Sequence, residues 1–481
     1  MTDTICAIST PAGVGGIAVC RVSGSEALPI VSKIWSGTDL ASVPSHSAHL
    51  GTVLDDCGDA LDQAVATVFR SPRSFTAEDT VEISVHGSIY IQQAIIASLI
   101  KAGARLAQPG EFTRRAFIAG RFDLAQAEAV ADLISSTSRA AQRLALSQMR
   151  GSVSKRLEQL RTQLVDLASL VELELDFSEE EVEFASREHL RKLASEIYRE
   201  VSALHATFAT GQAIKNGIPV AIVGPTNAGK SSLLNALTGD DRAIVSDIHG
   251  TTRDTIEDTL SLPSGHQLRL IDTAGLRHTT DTIEQLGIDR SIQSLRRASI
   301  ILALLPATEI NAKATSDKCL VWDLLAQIRS EAPETPVILL LNKTDLLSDT
   351  KSENKSIAEN PCLVSEKTGE HTDKNLTVIP ISVKNGDGLD TLRTELQRQV
   401  DLLTKSGDTD GIIITNARHA QALGDAAEAL RRTLDALDQN LSGDLLAIDI
   451  RQAIHHLATL TGAITTDTLL STIFTRFCIG K

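Results

Sequence analysis

The chain has 481 residues, 42% of them hydrophobic, and carries 46 Lys plus Arg against 61 Asp plus Glu, for a net charge of −15. This length predicts roughly two to four domains, and the apolar fraction is enough for packed cores. The acidic balance argues against a broad basic nucleic-acid surface, and no apolar stretch reaches the roughly 18 residues a membrane helix needs. Six Cys (Cys6, Cys20, Cys57, Cys319, Cys362 and Cys478) show neither a C-x-x-C spacing nor a dense framework, as expected in a reducing compartment. The first residues, MTDTICAIST, have no basic region followed by an apolar core. The expectation is a cytoplasmic protein.

From about residue 1 to 118 the pattern is mixed. Gly16–Val22 and Thr80–Val85 read as strands, and Ile89–Lys101 as a helix. Pro11–Gly16 has the glycines of a nucleotide loop but lacks Lys-[ST] and precedes a strand, so it reads as a turn. Two segments, Ser74–Asp79 and Pro109–Phe117, stand out without revealing chemistry of their own. From Asp123 to Gln212 apolar residues recur at three and four, the period of amphipathic helices. Asp176–Phe184 interrupts them with an acidic run, read as a solvated helix end.

The next segment, about 215 to 400, carries the clearest chemistry. Ile218–Val223 is a short apolar run, as in a buried parallel strand. It leads into Gly224-Pro-Thr-Asn-Ala-Gly-Lys-Ser231, and a helical pattern begins at Ser231. Strand, glycine loop and helix form the context in which G-x-x-x-x-G-K-[ST] holds phosphate. The backbone N–H groups and the helix N-terminus face the anion, Lys230 reaches the β- and γ-phosphates, and Ser231 offers its hydroxyl to Mg²⁺. Gly250-Thr-Thr-Arg-Asp254 lies in a polar loop suited to a switch. Leu268–Ile271 is strand-like and delivers Asp272 of Asp272-Thr-Ala-Gly275, where Gly275 can sense the γ-phosphate. Val337–Leu341 ends in Asn342-Lys-Thr-Asp345. An Asp there accepts from N1–H and the exocyclic amine of guanine, a donor pair that adenine lacks. Val378–Ser382 is a last strand, and Ser382–Lys384 can cover the base. The ordered set predicts GTP. Leu276 stands where many small GTPases place a water-orienting Gln, and no arginine finger is evident, although Arg253 and Arg277 are near. Ser348–Lys374, rich in Ser, Glu, Lys and Asn, reads as a loop.

Helical patterns resume at Ala417–Leu437, Asp444–Gly462 and Asp467–Phe477. Helices on both sides of the nucleotide segment predict one helical domain interrupted by an insertion. The chain ends in Cys478-Ile-Gly-Lys481, which fits a prenylation signal poorly.

With its four nucleotide elements, Asn227 inside the phosphate loop and this C-x-G-K end, the chain resembles the MnmE (TrmE) family of bacterial tRNA modification GTPases. The resemblance spans essentially the whole chain. It implies a multidomain α/β plus all-α fold: an N-terminal α+β folate-binding and dimerisation domain (1–118), a helical domain (119–214 plus 401–481), and an inserted Ras-like P-loop G domain (215–400). It implies nucleotide contacts at Asn227, Ala228, Gly229, Lys230, Ser231, Ser232, Ser246, Asp247, Ile248, His249, Gly250, Thr251, Thr252, Asp272, Thr273, Ala274, Gly275, Asn342, Lys343, Thr344 and Asp345. Mg²⁺ ligands match Ser231 and Thr252. K⁺ ligands match Asn227, Ser246, Ile248 and Thr251, and K⁺ stands in for an arginine finger. A water-positioning glutamate matches Glu284, which otherwise reads as an exposed helix-start residue. Folate positions match Arg21, Glu78, Arg121 and Lys481, where the folate is 5-formyl- or methylene-tetrahydrofolate. Lysine is common at the position of Arg121 in relatives, and arginine keeps the cation while changing its shape. Read without the resemblance, Arg21 and Arg121 are surface cations. Cys478 is a candidate participant in the modification, its thiol activated by Arg476 and Lys481.

The resemblance further implies a homodimer that assembles with the flavoprotein MnmG (GidA) as a heterotetramer. Together they add an aminomethyl or carboxymethylaminomethyl group to carbon 5 of the tRNA wobble uridine. Two other readings share the nucleotide motifs. One is a regulatory GTPase of ribosome assembly, which the acidic balance and the C-x-G-K end disfavour. The other is a self-sufficient folate-dependent transferase; the lack of a flavin or dinucleotide fingerprint argues that redox steps lie in a partner.

Overall fold

The structure, a computed structural model, describes residues 3–55, 57–176, 186–239, 258–272, 292–308, 320–347, 375–405, 411–475, 477 and 480. It divides into two compact units. One comprises Met1–Ser135, Ala145–Ser202 and Arg418–Lys481, and the other Ser136–Leu144 and Ala203–Ala417.

In the first unit, seven strands form one sheet: β1 (Ile5–Ile8), β2 (Gly15–Ser23), β3 (Trp35–Gly37), β4 (Ser47–Leu54), β5 (Ala60–Phe69), β6 (Thr80–Gly87) and β7 (Arg105–Leu106). Their order is β3-β4-β5-β6-β2-β1-β7, antiparallel except for β1 beside β7. Side chains alternate across such a sheet. Ala64, Ala66 and Val68 of β5 are buried, while Val65 between them is exposed. The buried face packs with α1 (Ala27–Lys33) and α2 (Ile89–Ala102) through Val31, Ile95 and Leu99. Both strands and the helix expected here are present. β3, β4 and β5 were not expected from the sequence; β4 has almost no buried residue, and β5 buries mainly small side chains.

The same unit contains α3 (Glu111–Ile118), α4 (Leu124–Ser135) and α6 (Ser152–Asp176). It also holds, from the far end of the chain, most of α11 (Ala417–Asp438), α12 (Gly443–Thr461) and α13 (Asp467–Phe474). Leu124 and Ala127 of α4 share a core with Leu470, Ile473 and Phe474 of α13. Arg451 of α12 pairs with Glu172 of α6 at 2.7 Å. Helices from before and after the nucleotide segment therefore pack together, and that segment is an insertion.

Two further helices belong partly to each unit. They are α5 (Arg139–Met149) and α7 (Arg187–Asn216), and α7 leads directly into the second sheet. The strands of that sheet are β8 (Ile218–Val223), β9 (Asp258–Ser261), β10 (Gln267–Asp272), β11 (Ile300–Pro306), β12 (Val337–Asn342) and β13 (Leu376–Pro380), in the order β13-β12-β11-β8-β10-β9. All neighbours are parallel except β9 and β10. Parallel sheets are covered on both faces, so their strands read as continuous apolar runs. Every residue of β11 is buried. Leu233 of α8 (Lys230–Thr238) and Leu392 of α10 (Leu389–Lys405) lie in one core. Ile328 of α9 (Leu320–Glu331) lies in a separate core with other residues of the same sheet.

The chain re-enters α7's neighbourhood after α10. Ile414 N donates to Thr207 Oγ1 at 3.0 Å, and Gln212 Nε2 donates to the Thr415 carbonyl at 2.5 Å. A Cβ on Gly211 would collide with the Ile414 carbonyl, so only glycine permits this approach. Among the described residues no helix is long and apolar enough to cross a membrane.

Candidate nucleotide site and N-terminal cluster

Ligands of open parallel sheets bind outside the carboxyl ends of the strands. Here β8 ends in the phosphate-loop segment and β12 ends in Asn342. The loop's shape is set by three residues with positive φ: Gly224 (153°), Asn227 (65°) and Gly229 (100°). A side chain at Gly224 would strike the Leu304 carbonyl, and one at Gly229 the Asn342 amide. Asn227 tolerates the left-handed conformation better than most residues, and its side chain is exposed. The helix α8 begins at Lys230, one residue earlier than expected, with Gly229 as its N-cap. Ser231 and Ser232 are exposed in its first turn. Lys230 Nζ donates to the Gly224 carbonyl at 2.9 Å and the Pro225 carbonyl at 3.1 Å, which holds the ammonium over the loop.

The structure joins this loop to the base-side segment. Asn342, 3% exposed, donates from Nδ2 to the Ala228 carbonyl at 2.8 Å and accepts at Oδ1 from Val383 N at 3.2 Å. Lys343 adopts φ 67° and precedes a short 3-10 turn, Thr344–Leu346, that carries Asp345. The buried Ser382 hydroxyl donates to Asp345 Oδ1 at 2.8 Å, and its Oγ accepts from Asn385 N at 3.3 Å. Ser382–Lys384 is thus tied to the Asp345 carboxylate. Its pairing with Asp345 was not foreseen, although the sequence pointed to the segment.

Asp272 ends β10. Ser246, Asp247, Ile248, His249, Gly250, Thr251, Thr252, Thr273, Ala274, Gly275 and Glu284 lie outside the described residues, as do Cys478 and Lys481 and the segment 348–374.

In the first unit, Arg21 of β2 pairs with Glu82 of β6 at 2.8 Å. Its guanidinium carbon lies 5.3 Å from the centroid of Phe75 and 5.6 Å from that of Phe112, within cation–π range. Glu78 accepts from Ser23 Oγ at 2.9 Å and from Arg115 Nη1 at 3.1 and 3.2 Å. Arg121 is exposed, just after Gly120 in the left-handed conformation. Ser9, which follows β1, donates from Oγ to the Gly480 carbonyl at 3.1 Å, and a Cβ on Gly480 would meet the Ile8 carbonyl. Gly480 therefore lies against the end of β1, the strand that pairs with Arg21, since Ala7 faces Arg21. Phe75, Phe112 and Arg115 were missed as individual residues. All three fall within Ser74–Asp79 and Pro109–Phe117, so the signal was present as segments.

Two family descriptions match the chain. "GTP-binding protein TrmE N-terminus" covers residues 4–121 and "MnmE helical domain" covers residues 124–478. Among curated relatives, the "tRNA modification GTPase MnmE" of Christiangramia forsetii is 45% identical, with 100% of each chain covered. The protein of the same name from Parabacteroides distasonis is 47% identical, again over 100% of both chains. That from Cytophaga hutchinsonii is 46% identical, over 100% of this chain and 98% of the relative.

Proposed function

The chain belongs to the MnmE family, and on that premise we propose that it hydrolyses GTP and couples hydrolysis to the modification of tRNA. The observation that carries the reading is the Asn342–Ala228 hydrogen bond. It fixes Asp345, which would read guanine, relative to the loop that would hold phosphate.

In this reading Lys230 exchanges its two carbonyl acceptors for phosphate oxygens, and the loop amides donate to the rest. Mg²⁺ on Ser231 and Thr252, and K⁺ on Asn227, Ser246, Ile248 and Thr251, supply positive charge to the phosphates. Asn227 is left-handed and its side chain is exposed, which leaves its carbonyl open to such an ion. Glu284 orients the attacking water. Opening and closing of this inserted domain gates the chemistry. Residues 1–118, 119–214 with 401–481, and 215–400 are the working parts.

The finer chemistry lies at the N-terminal cluster. Arg21, Glu78, Arg121 and Lys481 hold a reduced folate, the one-carbon donor. Cys478, two residues before the docked Gly480, takes part in the modification of carbon 5 of the wobble uridine. The flavoprotein MnmG provides the redox steps in the cytoplasm. The homodimer reading is supported by an exposed apolar surface in the N-terminal sheet region. Leu50 faces Val65 across β4 and β5, and Val14, Ile17 and Tyr90 are 82%, 68% and 71% exposed. Leu50 and Val65, paired and exposed on neighbouring strands, are the part of this surface open to a second copy of the chain.

The first test compares GTP hydrolysis in KCl and NaCl at equal ionic strength. A rate at least about tenfold higher in KCl is expected from an added charge at the phosphates; equal rates sink the potassium assignment. Modification of tRNA with and without the flavoprotein separates this reading from a ribosome-assembly GTPase, which would modify nothing. Full modification by Cys478→Ser would remove that residue from the chemistry.

A further inference from the structure

Arg115, in α3, takes no part in the reading above, yet it is the most enclosed cation of the N-terminal cluster at 2% exposure. Its Nη1 donates to both oxygens of Glu78, at 3.2 and 3.1 Å, and to the Asp3 carbonyl at 2.9 Å. Its Nη2 donates to Asp3 Oδ1 at 3.0 Å and to Glu111 Oε1 at 3.1 Å. Three carboxylates thus converge on one buried guanidinium. Two of them have a second cation: Arg105 reaches Asp3 at 2.7 Å and Glu111 at 2.6 Å. Arg105 holds Asp3 below the usual carboxylate range. Burial alone would raise Glu111, but Arg105, the Gln108 amide and Arg115 outweigh it and hold it low. Among the described residues Glu78 has Arg115 as its only ion-pair partner, and its remaining side-chain bond comes from Ser23.

The acceptor count is informative. A carboxylate offers about four lone-pair positions. Among the described residues, Glu78 Oε2 receives Ser23 and Arg115, whereas Oε1 receives only Arg115. One acceptor position on Oε1 remains for a ligand, on a side chain still 23% exposed. The backbone under Glu78 is held independently. Ser74 Oγ donates to the Glu78 carbonyl at 2.5 Å, and Glu78 N donates to Thr76 Oγ1 at 3.3 Å.

We propose that Arg115 is the positioning residue of Glu78: by gripping both carboxylate oxygens it fixes the plane in which Oε1 meets the N–H edge of a bound pterin. The proposal rests on the folate reading. A glutamate free to rotate would lose side-chain freedom on binding, and fixing it beforehand removes that loss from the binding step. Lysine is a poor substitute because one ammonium cannot reach both Glu78 oxygens, as Nη1 does, while a second nitrogen, Nη2, holds Asp3 and Glu111.

The test is a double-mutant cycle on the full-length protein, with 5-formyltetrahydrofolate as probe and calorimetric titration as readout. The variants are Arg115→Lys, Glu78→Gln and both together. Arg115→Lys is expected to weaken binding about tenfold, the scale of one misaligned charged hydrogen bond, and to add little once Glu78 is Gln. Equal losses in both backgrounds show that Arg115 acts independently of Glu78 and overturn the proposal. A wild-type protein that binds no folate overturns the folate reading itself, and this proposal with it. A crystal structure of Arg115→Lys provides the second measurement, independent of affinity. A displaced or multiply placed Glu78 carboxylate is expected; an unchanged one overturns the proposal.

Discussion

Asn342 Nδ2 lies 2.8 Å from the Ala228 carbonyl, so the end of β12 is hydrogen-bonded to the backbone of the glycine loop that follows β8. The same side chain accepts from Val383 N, which ties in the segment beside Asp345. Asn342→Ala would leave both backbone groups without this partner in a buried place. Each such orphan costs about 1–3 kcal/mol. The expected result is GTP affinity weaker by one to two orders of magnitude, at about 1.4 kcal/mol per tenfold, in titrations with a fluorescent GTP analogue. Unchanged affinity would show that the stitch is structural only.

Asp345 receives the Ser382 hydroxyl on Oδ1, which restrains the carboxylate, and in the proposed reading it accepts two parallel N–H donors of guanine. Asp345→Asn replaces one acceptor by a donor and should lower GTP hydrolysis while admitting a purine with a carbonyl in place of the exocyclic amine. Competition between GTP and XTP reads this directly. A variant that still prefers GTP would show that the base is read elsewhere.

A stability prediction follows from Glu128 in α4, which is enclosed by Arg418 at 2.8 Å and His419 at 2.7 Å. Burial would push its carboxyl up, but the hydrogen bonds and charges of His419 and Arg418 outweigh it and hold it at about 2, below the usual glutamate value of 4.5. A carboxyl depressed in the fold stabilises it above its unfolded pKa, and that share is lost as pH falls from 4.5 towards 2. The shift corresponds to a few kcal/mol at most, roughly 1.4 per unit. Glu128→Gln should therefore destabilise the chain at pH 7 and flatten the dependence of urea unfolding on pH below about 5. An equally steep acid dependence in the variant would contradict this account.

Gly265 turns the β9–β10 hairpin with φ 86°, and its carbonyl accepts from Ala140 N at 2.9 Å. A Cβ there would lie 2.8 Å from Cβ of Arg139. Gly265→Ala must adopt a left-handed conformation and displace Arg139, at a cost of about 1–3 kcal/mol. The melting temperature should drop by several degrees, while Ser264→Ala, in the same turn, should change it less.

The sequence was most legible where one physical requirement dominates. Ile218–Val223 and Val337–Asn342 are buried on both faces, so continuous apolar runs announced them. Gly224, Gly229 and Lys230 followed from the needs of a phosphate. The sheet of the first unit was harder to see, because β4 has partly exposed residues on both faces and the buried face of β5 is built partly from small Ala64 and Ala66, whose hydrophobic contrast is weak. Partnerships between distant residues were not legible. Nothing local in the sequence says that Asn342 meets Ala228, that Glu78 meets Arg115, or that Ser9 meets Gly480. They are products of strand order and helix packing, and they turn separate motifs into sites.

The clasp between Thr207–Gln212 and Ile414–Thr415 has a consequence for the history and engineering of the chain. It brings the outgoing and returning backbone together, so everything between is topologically a closed loop on a short stem. Splicing at such a stem need not rethread the remaining helices. The nucleotide domain can then be treated as a cassette: removed and bridged by a brief linker, or exchanged for another domain whose ends lie equally close. Glycine at position 211 is the hinge pin of that exchange.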